Sequence, residues 1–185
     1  MDVKESIEKR RAYRSLSPVE ITEDLVHDLA GSARLFCSCF NNQPWRYVFV
    51  YDRKVLQDMH EALSPGNEWA QTGSMIIAVF SKPDLDCIIK DRQYYLFDTG
   101  MATAALILRA TELGLVAHPI AGFSPKKVRE ILKIPVEYNV ITLVIIGKKS
   151  DKLSPLLSEK QRLVEPERPE RLALDRFMYL NMYRE

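Results

Sequence analysis

The stretch Leu35 to Asp52 reads LFCSCFNNQPWRYVFVYD, and its two halves differ in physical character. From Phe36 to Pro44 polar side chains lie between helix-like and strand-like sequence, which predicts a loop. From Arg46 to Asp52, Tyr47, Phe49 and Tyr51 alternate with Val48 and Val50. That β-branched and aromatic content predicts a largely buried strand. Asn41, Asn42 and Gln43 each offer a donor and an acceptor, Pro44 restricts Gln43 to extended backbone, and Trp45 supplies a large flat anchor. A rigid loop of this kind at a strand edge suits the polar rim of a planar heteroaromatic ligand. The stretch alone more readily suits an ordinary loop whose amides cap neighbouring backbone.

Working outward, 185 residues with 46% apolar and 28% charged content are those of one globular domain with its own core. The formal net charge of +1 gives no global field toward nucleic acid or a membrane surface. No apolar run approaches the ~18 residues of a membrane span, and the polar start is not a signal peptide, so the cytoplasm is the expected location. Cys37, Cys39 and Cys87 are odd in number and lack C-x-x-C spacing, which argues against a disulfide framework and a zinc site. His27, His60 and His118 stand singly, and neither a dinucleotide fingerprint nor a P-loop occurs.

Toward the N-terminus, Asp2 and Glu5 form a candidate capping box for a helix through Ile7 to about Arg11. Lys9, Arg10, Arg11 and Arg14 then gather four cations within six residues. They suit the negative end of a helix dipole, and they suit an anion that forked guanidinium groups could grip. Thr22 predicts the start of a second helix, from about Glu23 to Arg34.

Toward the C-terminus, Lys54 to Leu63 predicts a short helix and Ser74 to Ser81 a strand covered on both faces. Gln93 to Leu113 predicts the longest helix, stopped at Gly114. Its small residues Gly100, Ala102, Ala104, Ala105 and Ala110 point to a core helix that also serves as a subunit interface. Val116 to Ile120 predicts a strand, Ser124-Pro125 the start of a helix to about Leu132, and Asn139 to Gly147 a further buried strand. Lys148 to Glu170 shows no core periodicity and reads as an extended arm over the surface or a partner subunit. The apolar segment Leu172 to Tyr183 must dock somewhere.

Taken in order, several pieces resemble the nitroreductase-like family of flavin oxidoreductases. Arg10-Arg11-Ala12-Tyr13-Arg14 is similar to its R-R-S-x-R opening. Ser38 to Tyr47 is similar to its P-S-x-x-N-x-Q-P-W-x-F loop. Asp98 to Leu115 resembles its central helix, and Pro119 to Phe123 the segment along the flavin ring. Val144 to Gly147 resembles its last central strand, and Arg171-Leu172 a late basic position.

The resemblance implies an α+β fold with a central, mostly antiparallel sheet flanked by helices. It further implies a single domain over 1–185, an intertwined homodimer, and an arm over 148–185 that docks on the partner. FMN is the implied cofactor, with NADH or NADPH as donor and ping-pong hydride transfer to a nitroaromatic, quinone or similar small acceptor. By the same matching Arg10, Arg11, Arg14 and Arg171 face the phosphate and ribityl chain, and Ala12 shares that segment. Ser38, Cys39, Asn41 and Gln43 contact the flavin from the loop, while Pro119, Ile120, Ala121 and Gly122 lie against its ring.

Three departures stand out. Ala12 lacks the usual serine hydroxyl, and Cys37 replaces a proline. Gly147-Lys148-Lys149 lacks the usual proline, so either lysine could take the role given to Arg171. Cys39 is expected as a buried inert cysteine or an oxidation-sensitive thiol. Other readings of the same fold are a reductive dehalogenase, a flavin-degrading enzyme, and a dimeric scaffold without cofactor. The short segments Ser64–Ser74 and Lys82–Arg92 argue against the two lidded enzymes.

Overall fold

A computed structural model describes residues 1–183. In chain order the helices are α1 (Val3–Lys9), α2 (Glu23–Arg34), α3 (Arg53–His60), α4 (Tyr95–Glu112), α5 (Pro125–Leu132) and α6 (Glu159–Val164). The strands are β1 (Leu16–Ser17), β2 (Arg46–Val50), β3 (Met75–Ser81), β4 (Ile88–Ile89), β5 (Arg92–Gln93), β6 (Val116–Ile120) and β7 (Asn139–Lys149).

All the pairings among the described strands are antiparallel. The 11-residue β7 is the hub, pairing with β3, β6 and β1, while β2 pairs with the other edge of β3. Period-two alternation divides the core into two layers. Ile76 and Ala78 of β3 join Leu143 and Ile145 of β7 on one face, with Met59 of α3 and Val128 of α5. Met75, Ile77 and Val79 join Val144 and Ile146 on the other, with Leu29 of α2 and Ala102, Leu106 and Ala110 of α4. The expected double burial of β3 is therefore observed.

Local sequence sets the element ends. Asp2 accepts the Glu5 N–H at 2.8 Å and Glu5 accepts the Asp2 N–H at 3.1 Å, completing the capping box. Thr22 caps α2 and Ser124 caps α5, as expected. Gly114 ends α4 at φ +75°, where a side chain would be strained.

The long helix is less enclosed than its sequence suggests. Ala102 and Ala110 are buried, but Leu96, Gly100 and Ala104 are exposed and Phe97 is 62% exposed. An apolar stripe thus faces away from the chain's own core. The segment after β7 also differs from the extended arm expected of it. Lys148 and Lys149 belong to β7, and α6 has its own capping box at Ser158 and Gln161. Ser154, Leu157 and Glu165 are buried against the same chain. Only from Pro166 onward is the segment exposed throughout, and positions 184 and 185 of the expected 148–185 arm lie outside the described residues. Among the described residues no helix is long and apolar enough to cross a membrane.

Candidate functional site

The basic segment after α1 has no regular secondary structure and meets the chain again near its C-terminal end. Arg10, Arg11, Ala12 and Arg14 line a cavity of about 230 Å³ with Val164, Glu165, Arg168, Pro169 and Arg171. Burial, with Arg168 and Arg171 close by, depresses the pKa of the Arg10 guanidinium. The cations crowd one another, and the one carboxylate lining the cavity, that of Glu165, has other work. Its Oε1 accepts the backbone N–H of Arg14 and of Ser15, each at 2.7 Å, and its Oε2 lies 3.8 Å from the Arg14 guanidinium. The cavity is therefore short of negative charge and suits a multiply charged anion.

The five arginines of the cavity divide their labour. Arg11 spends its donors on the carbonyls of Glu165, Pro166 and Glu167 at 2.9, 3.1 and 2.6 Å and stacks on Tyr13. It clasps the C-terminal segment, and the resemblance gave no hint of this. Arg168 donates to the carbonyls of Glu8 and Arg10. Arg171 lines the cavity, whereas Lys149 lies over the Tyr13 ring at 5.0 Å and lines a neighbouring one. Glu165 and Arg168 were missed in the sequence because no local pattern marks a residue some 150 positions from its partners.

The Ser38–Gln43 loop forms a second group. Ser38 Oγ accepts the Gln43 N–H at 2.9 Å, and the Cys39 N–H donates to Asp98 Oδ2 at 2.6 Å. Burial raises the Asp98 pKa, and the neighbouring Asp86 carboxylate pushes it the same way. Asn42 Nδ2 reaches Asp86 Oδ1 at 3.3 Å. Phe40, Asn41 and Gln43 all have positive φ (48°, 59° and 50°) without being glycine, so Gln43 leaves the extended backbone that the following Pro44 was expected to impose. The Asn41 side chain is exposed and that of Gln43 half-buried, so their amides remain at the surface. Trp45, by contrast, is core, packed in the layer beneath α4.

Cysteine spacing misled here: Cys39 is joined to Cys87 by a disulfide, with Cα atoms 6.0 Å apart, and Cys37 alone is free. Cys39 is thus neither a free thiol nor an inert buried one. Partners 48 residues apart leave no spacing signal in a sequence.

The third group is the end of β6. Pro119 and Ala121 are exposed, and Ile120 is buried, its carbonyl accepting from Thr142 Oγ1 at 2.9 Å. Gly122 lacks a Cβ for a reason internal to the chain. A Cβ there would lie 2.2 Å from Asn67 Nδ2, the group that donates to the Gly122 carbonyl at 2.9 Å. Within the same strand, His118 packs on Trp69 with ring centroids 4.5 Å apart. Its Nδ1 lies 3.0 Å from the Tyr13 carbonyl, which can only accept, so the neutral ring carries its proton there. Burial first, with Arg14 and Arg10 nearby, pushes its pKa down to about 4. Trp69 is fully buried and packs the core.

Within the chain these groups remain apart: no residue of the Ser38–Gln43 loop or of Pro119–Gly122 lines the arginine cavity. The chain thus combines an antiparallel sheet built on β7, a basic cavity lined by segments 10–14 and 164–171, and a loop of surface amides. The Nitroreductase family profile matches residues 7–148, and the chain belongs to that family. An Archaeoglobus fulgidus protein provisionally named NADH dehydrogenase/NAD(P)H nitroreductase is 31% identical over 147 residues, covering 77% of this chain and 82% of that one. Among solved structures, one described as an oxidoreductase containing FMN matches with TM-score 0.83 and 26% identity, over 100% of this chain and 94% of that one. A protein from Exiguobacterium sibiricum, solved in complex with FMN, matches in fold with TM-score 0.80 and 21% identity, over 98% of each chain.

Proposed function

We propose that this member of the nitroreductase family is an FMN-dependent oxidoreductase. It takes a hydride from NADH or NADPH and passes it, in ping-pong order, to a nitroaromatic, quinone or similar small acceptor. The observation that carries the reading is the arginine cavity. Crowded, partly desolvated guanidinium groups need an anion, and a phosphomonoester with nearly two negative charges answers that need. Arg10, Arg14 and Arg171 would hold that phosphate, joined by Arg168, while Arg11 and Ala12 line the same wall. Asn41 and Gln43 would hydrogen-bond the polar edge of the ring, beside Ser38 and Cys39, and Pro119 to Gly122 would lie along it. When bound, FMN supplies the two-electron hydride chemistry, so the chain needs no acid–base triad of its own.

The separation of the arginine cavity from the loop supports a site shared between two copies of the chain. So do the exposed apolar stripe of α4 and the exposed Leu172, Leu174, Phe177, Leu180 and Met182 beyond α6. A homodimer in which 172–183 crosses to the partner would cover both.

The test is the visible spectrum of the freshly purified protein with the released chromophore identified, followed by anaerobic addition of NADH or NADPH. FMN near one per chain that either nucleotide bleaches is the expected result. A colourless protein that refuses added FMN overturns the cofactor reading, and bound FMN that neither nucleotide bleaches overturns the donor. Arg10→Glu should weaken FMN binding about 100-fold, equivalent to about 2.7 kcal/mol. Light scattering should give twice the chain mass, and Phe97→Glu should shift it toward one.

A further inference from the structure

The Ser38–Gln43 loop is held in an unusual shape. Phe40, Asn41 and Gln43 occupy the left-handed region that L side chains rarely adopt, and the Phe40 side chain is 89% exposed. Such conformations persist only where the surroundings over-determine them. The restraints here are the Ser38–Gln43 and Cys39–Asp98 hydrogen bonds, the reach of Asn42 to Asp86, and the Cys39–Cys87 disulfide. Only the last is covalent, and it adjoins Phe40 directly. It ties the loop to the head of the β4–β5 hairpin, whose residues are exposed. Both cysteines are half-buried rather than enclosed.

We propose that Cys39 and Cys87 are a reversible dithiol–disulfide couple, reducible by low-molecular-weight thiols, that sets the shape of this loop and thereby its affinity for the flavin. The affinity part rests on the function proposed above; the couple itself does not. Asn42 Nδ2 lies 3.5 Å from Cys87 Sγ and donates to it. That donor favours Cys87 as the sulfur that leaves. A reductant thiolate attacks Cys39 Sγ, the S–S bond breaks, and its electron pair departs on Cys87 Sγ, which takes a proton from water. A second reductant thiolate attacks the reductant sulfur of the mixed disulfide and releases Cys39, which is protonated in turn. Two electrons and two protons pass to the protein, and the reductant becomes its own disulfide. With the covalent tie gone, the left-handed residues are free to relax and the surface amides lose their fixed spacing.

The experiment takes the full chain oxidised with glutathione disulfide, or reduced with dithiothreitol and exchanged into buffer. Alkylation with iodoacetamide, read by mass spectrometry, counts free thiols. FMN titration by fluorescence quenching gives affinity, and hydrogen exchange reports on residues 38–43. Oxidised protein should be alkylated at Cys37 alone, any glutathione adduct there being read as added mass, and reduced protein three times. Reduction should raise the FMN Kd about tenfold, and Cys87→Ser should match the reduced value and ignore dithiothreitol. Three alkylations after oxidation overturn the couple. An unchanged Kd across authenticated oxidised and reduced forms overturns its control of affinity. If neither form binds FMN, the proposed function fails, and hydrogen exchange alone decides the loop. Faster exchange at 38–43 on reduction upholds the device, and equal exchange overturns it.

Discussion

Replacing Glu165 with alanine tests how the two ends of the chain are joined. The carboxylate is 5% exposed and accepts the N–H groups of Arg14 and Ser15. Removing it leaves two backbone donors, one of them fully enclosed, with no acceptor. Each such loss costs about 1–3 kcal/mol, so Glu165→Ala should destabilise the fold by about 4 kcal/mol. The Arg14 ion pair, at 3.8 Å and with the guanidinium 30% exposed, adds little to that figure. Glu165→Gln keeps one carbonyl oxygen for the same donors and should cost only about 1 kcal/mol. At about 2–4 °C per kcal/mol for a chain of this length, alanine should lower Tm by roughly 10 °C and glutamine by a third of that or less. Urea denaturation at pH 7.5 gives the free energies, and calorimetry the midpoints. The cavity also gains positive charge in both variants, so inorganic phosphate should raise their Tm more than it raises that of the unaltered protein. An alanine variant within 0.5 kcal/mol of the unaltered protein would refute the clamp, and equal losses for alanine and glutamine would refute its hydrogen-bonding basis.

Three further outcomes are expected. His118 stays neutral in the fold down to about pH 4, whereas the unfolded chain takes up that proton near 6.5. Stability is therefore fully present above pH 6.5 and falls as the pH drops toward 4, by about 3 kcal/mol. His60, whose pKa is also lowered by burial, acts in the same direction. In His118→Gln the slope of unfolding free energy against pH should flatten, and an unchanged slope would exclude the residue as its source. Gly122→Ala should displace the Asn67 amide and cost about 1 kcal/mol, as should Asn67→Ala, with the double variant costing no more than either. Full additivity in urea titrations would sever that link. Arg109 bridges Asp28 on α2 and Glu112 on its own helix at 2.7 Å each, but all three side chains are about a third exposed. Solvent screening should hold Arg109→Ala to about 1 kcal/mol, and a loss above 2 kcal/mol would show that the α2–α4 seam depends on this charge.

The parts legible in the sequence are those governed by near neighbours. The capping box at Asp2 and Glu5, the Ser124-Pro125 helix start and the Gly114 stop are three-residue statements, and the structure repeats them. The β3 run MIIAVFS shows its double burial through composition alone. The arginines of the anion cavity were visible as a charge cluster, but their division of labour was not. Arg11 turns away to the C-terminal carbonyls because Glu165 to Glu167 happen to pass there, and no local rule encodes that meeting. The Cys39–Cys87 link was illegible for the same reason. The β4–β5 hairpin was missed because two-residue strands carry no periodicity. The small residues of α4 spoke correctly of close packing on one face. On the other they line a surface open in the single chain, and sequence cannot separate those two kinds of burial.

The placement of β7 has a consequence during synthesis. β3 pairs with β2 on one edge, and residues 75–81 must wait for residues 139–146 on the other. The 65 residues from Lys82 to Ile146 take roughly 3 to 13 s to translate at about 5–20 residues per second. Throughout that interval the nascent chain carries an uncovered apolar edge, the kind of edge that invites pairing with a stranger. The core layers close only when the last long strand leaves the ribosome, and Glu165 reaches Arg14 later still. A pause in translation between codons 81 and 146 should therefore harm the yield of native protein more than one after codon 165.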